Sequence, residues 1–148
     1  MKISAKGRYA LASMINIAIN HNSGEYITVI SISDKLGISK IYLEQVFSLL
    51  KRGSLVNSVK GAQGGYQLSR MSDKITVFDI LSAVEFSLFE VTEATVADKA
   101  PDIEKAMQFD AFDTLDYMVK DTLKKITLND LVASAEKYKS ETELMFYI

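Results

Sequence analysis

Two stretches of this 148-residue sequence carry side chains able to do chemistry on a partner. In the first, Leu43, Val46, Phe47 and Leu50 recur at i, i+3, i+4 and i+7, the stripe of a helix laid on a core. The opposite face of that helix holds Lys40, Ile41, Glu44, Gln45, Ser48, Lys51 and Arg52. These are groups of the kind that read base edges, with two cations at the helix end. The second stretch is Lys60-Gly61-Ala62-Gln63-Gly64-Gly65. Its glycines permit positive φ and a close approach of backbone to a phosphate or groove wall, and Lys60 would neutralise phosphate or enter a minor groove. Considered alone, the polar helix face is equally a solvated surface. Glu44 repels phosphate, and its plainer role is to pair with Lys40 at i−4. A nucleotide-binding loop is the rival for the glycines, but they precede a strand instead of opening a helix, and no Gly-Lys-Ser/Thr follows.

The elements that must position these groups follow from capping and periodicity. A first helix is expected from about Ser4 to His21, with Leu11, Met14, Ile15 and Ala18 on its buried face and the breaker His21-Asn22-Ser23-Gly24 after it. Thr28 caps a short helix, Val29 to Leu36, and Gly37 supplies the turn. Ser39 then caps a third helix, Lys40 to about Arg52, which Gly53 ends as a residue just beyond the helix. Two short helices joined by a Gly-containing turn match the helix-turn-helix pattern. Leu55 to Val59 and Tyr66 to Arg70 read as two strands around the glycine loop, a hairpin directly after the recognition helix, which is a wing. Thr76 with Asp79 starts a fourth helix to about Val84 in the manner of a capping box.

Charge divides the chain. Residues 1–80 hold ten Lys/Arg against five Asp/Glu (+5) and residues 81–148 hold seven against fourteen (−7), consistent with the net −2. A basic front and an acidic back suggest a polyanion-binding part joined to one that avoids the polyanion. There is no cysteine and one histidine, His21. Disulfides and thiolate-held zinc or iron–sulfur clusters are therefore excluded, and no metal site is expected. Lys2, Lys6 and Arg8 before an apolar stretch imitate a signal peptide, but Ser13, Asn16 and Asn20 interrupt it and no cleavage site follows. No apolar run approaches the roughly 20 residues that span a bilayer, so the expectation is a cytoplasmic protein without a membrane partner. With no Ser/His/Asp grouping or placed acid pair, no catalytic residue is assigned and an enzyme is not expected. His21 reads as a capping or solvated residue.

The organisation expected is a winged helix-turn-helix over residues 1–85, an acidic linker over 86–101 ending at the only proline, and a C-terminal part over 102–148. In that last part a long helix, about Asp102 to Lys125, would extend about 36 Å. Phe112, Leu115, Val119, Thr122 and Ile126 keep near a/d spacing along it, a seam for a second copy of the chain or, alternatively, for an intramolecular core. Thr127 and Asp130 cap a short last helix through about Tyr138. After the polar stretch Lys139 to Glu143 come Leu144, Met145, Phe146, Tyr147 and Ile148, an apolar tail that docks either on its own fold or in a partner's pocket. The fold class is thus mainly α with a small β-hairpin wing.

Four groups of residues, in this order, resemble the Rrf-two (Rrf2) family of bacterial winged-helix regulators. They are Met1-Lys2-Ile3-Ser4 with Lys6-Gly7-Arg8-Tyr9-Ala10; Tyr42-Leu43-Glu44-Gln45; Gly61 with Gly64-Gly65-Tyr66; and Ile126-Thr127-Leu128 with Asp130-Leu131. The resemblance implies a homodimer with an N-terminal winged helix and a long dimerisation helix. Many members of that family sense iron, nitric oxide or redox state through an iron–sulfur cluster held by three cysteines between the fourth helix and the dimer helix. Phe86 to Pro101 has none, so no such cofactor is expected here. The likeness is greater to a cysteine-free branch that represses cysteine-metabolism genes together with O-acetylserine thiol-lyase (cysteine synthase). There Met145, Phe146, Tyr147 and Ile148 would be the enzyme-binding tail, Ile148 imitating an amino-acid substrate. Departures from the family pattern are Ala5, where a hydroxyl is common, Ile41 at a position often small and polar, and Phe86-Ser87 in place of Gly-Pro.

The expected function is a dimeric repressor that presents two recognition helices to successive major grooves of double-stranded DNA. Lys2, Lys6, Arg8, Lys51, Arg52 and Lys60 would contact phosphate or minor groove. Glu44 would accept from a cytosine amine, Gln45 would bind an adenine edge, and Ile41 suits a thymine methyl. The alternatives are a protein-interaction module that mainly binds or inhibits a metabolic enzyme, and an autonomous regulator of unrelated genes.

Overall fold

The computed structural model describes residues 1–20, 26–61 and 64–147. The expected breaker at 21–24, and with it the role given to His21, lies outside them. Among the described residues the order is α1 (Ala5–Ile19), α2 (Val29–Leu36), α3 (Lys40–Arg52), β1 (Val56–Val59), β2 (Gly65–Leu68), α4 (Val77–Val84), α5 (Pro101–Lys105), α6 (Asp113–Lys125) and α7 (Leu128–Phe146). A 3₁₀ turn at Ser72–Lys74 precedes α4, and a π-helical stretch, Ala106–Phe112, joins α5 to α6. This is the mainly helical, winged architecture expected.

Helices α2 and α3 begin and end where their caps require. Thr28 Oγ1 accepts from the Ser31 N–H at 3.1 Å, Ser39 Oγ accepts from the Tyr42 N–H at 3.2 Å, and Gly37 takes the left-handed φ of 68° between them. Gly53 departs from expectation. Its φ is −77°, and Ser54, at φ 60°, makes the left-handed turn instead. Glycine is required at 53 for space, because a Cβ there would lie 2.9 Å from the Ala83 Cβ on α4. Strands β1 and β2 pair antiparallel, Val56 with Leu68 through Val59 with Gly65, each slightly shorter than the expected run.

The core gathers Ala10, Met14 and Ile17 of α1, Ile32 of α2, the α3 stripe, Leu55, Val56 and Leu68 of the wing, and Ile80 and Val84 of α4. On α1 the buried face is rotated from the expected one. Ser13 and Asn16 are buried, whereas Leu11, Ile15 and Ala18 are only half-buried, because α1 packs on α3, α4 and α7 at once. Close packing on several sides favours small residues at the contact.

The long helix is unbroken from Pro101 to Lys125 but not uniform in winding. Pro101 opens it at the first helical position, where its missing N–H costs nothing. The i→i+5 winding of residues 106–112 then shifts the phase of everything after it, which a heptad template cannot express. Ile126 is outside the seam altogether. The helix ends at Lys125, and Ile126 is extended, its carbonyl accepting from the Val77 N–H at 2.9 Å. Reciprocally, the Leu128 N–H donates to the Ile75 carbonyl at 2.8 Å, so Thr76 and Thr127 lie side by side, each heading a complete capping box. Lys124 Nζ sits 4.7 Å from the Phe78 ring centroid and Lys120 Nζ 5.6 Å from that of Phe89, binding the long helix to α4 and the linker.

Helix α7 corrects one expectation. It runs 19 residues, through the polar stretch and into the tail, instead of stopping near Tyr138. Its first residue, Leu128, is fully buried in the winged-helix core. Leu128→Ala should therefore destabilise the winged-helix domain by about 2–5 kcal/mol, read as a lower urea midpoint. A change under about 0.5 kcal/mol would mean that α7 is peripheral to the core.

Candidate nucleic-acid interface

The recognition helix and the wing are clamped at one aromatic contact. Phe47, on the core side of α3, stacks on Tyr66 of β2 with ring centroids 4.4 Å apart and planes 22° from parallel. Tyr66 is held in turn by Ile27, each N–H donating to the other's carbonyl at 2.8 Å. A Cβ on Gly65 would lie 2.4 Å from the Ile27 carbonyl oxygen, so only glycine allows this third segment to close on the hairpin. At the hairpin tip Gly61 takes φ 126°, a conformation L side chains rarely adopt.

Between α3 and the wing lies an open groove of about 550 Å³. Of the residues expected at the interface it brings together Lys40, Glu44, Lys51, Lys60, Gly61, Gly64 and Gly65. Three lysines against one glutamate leave the groove cationic, the sign needed for phosphate. Glu44 Oε1 is 3.9 Å from Lys40 Nζ, both side chains being 55 % exposed, so this pair is weak and open to exchange for a ligand. Ile41, Gln45, Ser48 and Arg52 do not line the groove, but they are exposed further round the same helix, Ile41 to 73 %. The helix thus presents a cationic edge to the wing and a second exposed edge, with Ile41, Gln45 and Ser48, beside it.

The N-terminal cations are elsewhere. Ser4 caps α1 by accepting from the Gly7 N–H at 3.2 Å, and both its N–H and its hydroxyl donate to Glu85 Oε1 at the end of α4. Gly7 is buried against that carboxylate, with no room for a Cβ. Lys2, Lys6 and Arg8 flank this anchored turn, and none lines the groove. Tyr9 meets Tyr42 edge-on at 5.1 Å, which brings this first turn toward the start of α3.

Residues that sequence reasoning missed are Thr28, Val29 and Ile30 at the entrance to α2, Ser58 and Val59 of β1, and Tyr66. Thr28 had a signal as a cap and Tyr66 as the end of the Gly64-Gly65-Tyr66 motif, though neither pointed to the groove. The others reach it through chain geometry that no motif encodes. Burial, and secondarily the Glu44 carboxylate, raises the Tyr66 phenol above its ordinary value near 10.

Of the expected seam, Phe112, Leu115 and Val119 share an apolar groove of about 450 Å³ with Met1, Leu88 and Phe89, while Thr122 is exposed. Met145, Phe146 and Tyr147 end α7 exposed at 78, 86 and 90 %, not folded onto their own chain, and Ile148 is outside the described residues.

A sequence profile described as Rrf2, iron-dependent transcriptional regulator, matches residues 3–134. The transcriptional regulator IscR of Erwinia tasmaniensis is 35 % identical over 136 residues, covering 92 % of this chain and 81 % of that protein. Among solved structures, CymR (YrzC), the global cysteine regulator of B. subtilis, is 34 % identical and superposes with a TM-score of 0.69 over 90 % of this chain and 98 % of that one. IscR of T. potens is 32 % identical, with a TM-score of 0.70 over 93 % and 90 %. Iron, which the profile's description implies, meets no fitting donor set here. The chain has no cysteine, and among the described residues no three His, Cys, Asp or Glu side chains converge. Where the linker folds back on the long helix, the Glu104 carboxylate is taken up by the Thr95 and Val96 N–H groups, the latter at 2.9 Å.

Two outcomes are expected from this geometry. Gln45→Ala should cost about 1–3 kcal/mol on a selected duplex and relax preference at one position, while an unchanged base preference would remove Gln45 from the reading edge. Glu44→Gln should lower the Tyr66 pKa yet leave it above the ordinary value, since burial is the larger cause. Absorbance titration at alkaline pH checks this. As the folded phenol resists ionisation, stability should fall as pH rises past 10, where the unfolded chain ionises first.

Proposed function

The chain belongs to the Rrf2 family of DNA-binding transcription regulators, and on that footing we propose that it is a homodimeric repressor of double-stranded operators. The reading is carried by one observation: Lys40 and Lys51 of α3 and Lys60 of the wing line one groove, with glycine backbone as its far wall. A duplex phosphate chain entering there would be neutralised from both sides while Ile41, Gln45 and Ser48 meet base edges in the adjoining major groove. Dimerisation through Phe112, Leu115 and Val119 would cover an apolar surface otherwise open to water, and would set the two heads on half-sites about 34–36 Å apart. Arg52 and the N-terminal Lys2, Lys6 and Arg8 would serve flanking phosphates.

We further propose cysteine or sulfur metabolism as the regulated process, in the cytoplasm, with O-acetylserine thiol-lyase as the sensing partner. Support comes from the likeness to CymR, from a chain without cysteines for a cluster, and from the exposed apolar end of α7. Sensing without a cluster of its own leaves the signal to a partner. A second reading, a module that mainly binds or inhibits a metabolic enzyme, is favoured by the same exposed end of α7.

The two readings separate in one pair of measurements. On the repressor reading, anisotropy titrations with palindromic duplexes selected from a random pool should saturate at one dimer per duplex and weaken steeply with salt. Absence of any salt-sensitive association, with or without the enzyme, would end the repressor reading. Removing residues 145–148 should abolish co-purification with O-acetylserine thiol-lyase and leave the thermal transition unchanged. Undiminished co-purification would take the tail out of the proposal.

A further inference from the structure

Arg70 lies two residues past the end of β2 and does not line the groove, yet its guanidinium donates to three separate pieces of the chain. Its Nε donates to the Lys74 carbonyl at 2.9 Å, Nη1 to the Ser54 carbonyl at 3.3 Å, and Nη2 to Asp79 Oδ2 at 3.2 Å. Each acceptor belongs to a different piece. Ser54 is the left-handed residue that turns the chain from α3 into β1, and its carbonyl also accepts from Ser69 Oγ at 2.6 Å. Lys74 closes the 3₁₀ turn before α4. Asp79 is the capping-box residue of α4, and the same oxygen accepts from the Thr76 N–H at 2.9 Å. One guanidinium therefore joins the exit of α3, the base of the wing and the start of α4.

A two-stranded hairpin of four residues per strand has little stability of its own, so its direction is set by what holds it. The Phe47–Tyr66 stack holds the wing nearer its tip, against α3. The open end is held by Arg70 and Ser69 through Ser54. A planar fork with donors in fixed directions can satisfy three acceptors at once, whereas an ammonium on a flexible stem cannot hold that geometry.

Resting on the duplex-binding reading above, we propose that Arg70 is a positioning residue. It sets the angle of the wing to the recognition helix, and so brings Lys60 to the duplex, without touching the duplex itself. Lys60 and Arg70 are at opposite ends of the hairpin, so independent roles would give additive effects. A positioning role makes them non-additive.

The test is a double-mutant cycle on the full-length chain, using a mixed-sequence duplex of about 30 base pairs, long enough for two half-sites. In the wild-type background Lys60→Ala should lower the slope of log K against log salt by about 1. In an Arg70→Ala background the same change should lower it by less than about 0.3, because the wing no longer delivers the lysine. Dimer fraction and thermal transition are measured alongside. If Arg70→Ala does not fold, Arg70→Lys, which keeps the charge and loses the fork, takes its place with the same expectation. An undiminished Lys60 effect in the altered background overturns the positioning role, whether or not Arg70→Ala lowers the slope by a unit of its own. Wild-type protein that fails to bind the duplex in any salt instead defeats the underlying duplex-binding reading, and this inference with it.

Discussion

The stack of Phe47 on Tyr66 is the contact on which the interface depends. Phe47 belongs to the stripe that buries α3, and Tyr66 is fastened to the backbone before α2, so both halves of the helix-turn-helix and the wing meet at one pair of rings. The groove has its width because that pair fixes the separation of helix and hairpin. Its sign comes from lysines placed on the two rims. Little else is needed from the protein, since phosphate attracts any correctly spaced cation and the glycine backbone offers no side chain to obstruct it.

The uneven distribution of charge becomes intelligible in the same frame. The basic front of the chain is the part that carries the groove, and the acidic back forms the long helix and α7, whose salt bridges, Lys120 with Asp116 and Lys125 with Asp121, are internal to the helix. In the dimer proposed above, acidic surface on that limb would keep it off the duplex. Two of its lysines lie over the rings of Phe89 and Phe78, where they serve the joint between helix and head.

Local features were the most legible in the sequence. Ser39 and Thr28 placed α3 and α2 to the residue, and the two Thr-x-x-Asp boxes announced α4 and α7, because a cap is a short-range hydrogen bond written in adjacent residues. The cationic groove was half legible: its lysines and glycines could be named, but Thr28, Ile30, Ser58 and Tyr66 enter it only through the closing of Ile27 on the hairpin. Three matters lay beyond sequence pattern. Gly53 read as a conformational stop, whereas its reason is the approach of Ala83 from α4. The heptad template over residues 112–126 could not foresee the departure of Ile126 into an extended pairing, nor the i→i+5 winding of residues 106–112 that turns Ile103 out of phase with the seam. The polar stretch before the tail read as a break, yet Lys139, Glu141 and Glu143 are good helix formers, the Ser140 and Thr142 hydroxyls donate to carbonyls one turn back, and α7 continues through them.

The side-by-side capping boxes have a mechanical meaning. The chain quits the head after Glu85, at one end of α4, and Ile126 brings it back beside Thr76, at the other end. The forty residues in between are thus an excursion with both feet planted on a single eight-residue helix, a footing of about 12 Å. A limb hung from one point could swivel; this one cannot turn without tilting its base. Helix α4 is accordingly the plate through which any torque on the long helix reaches the head.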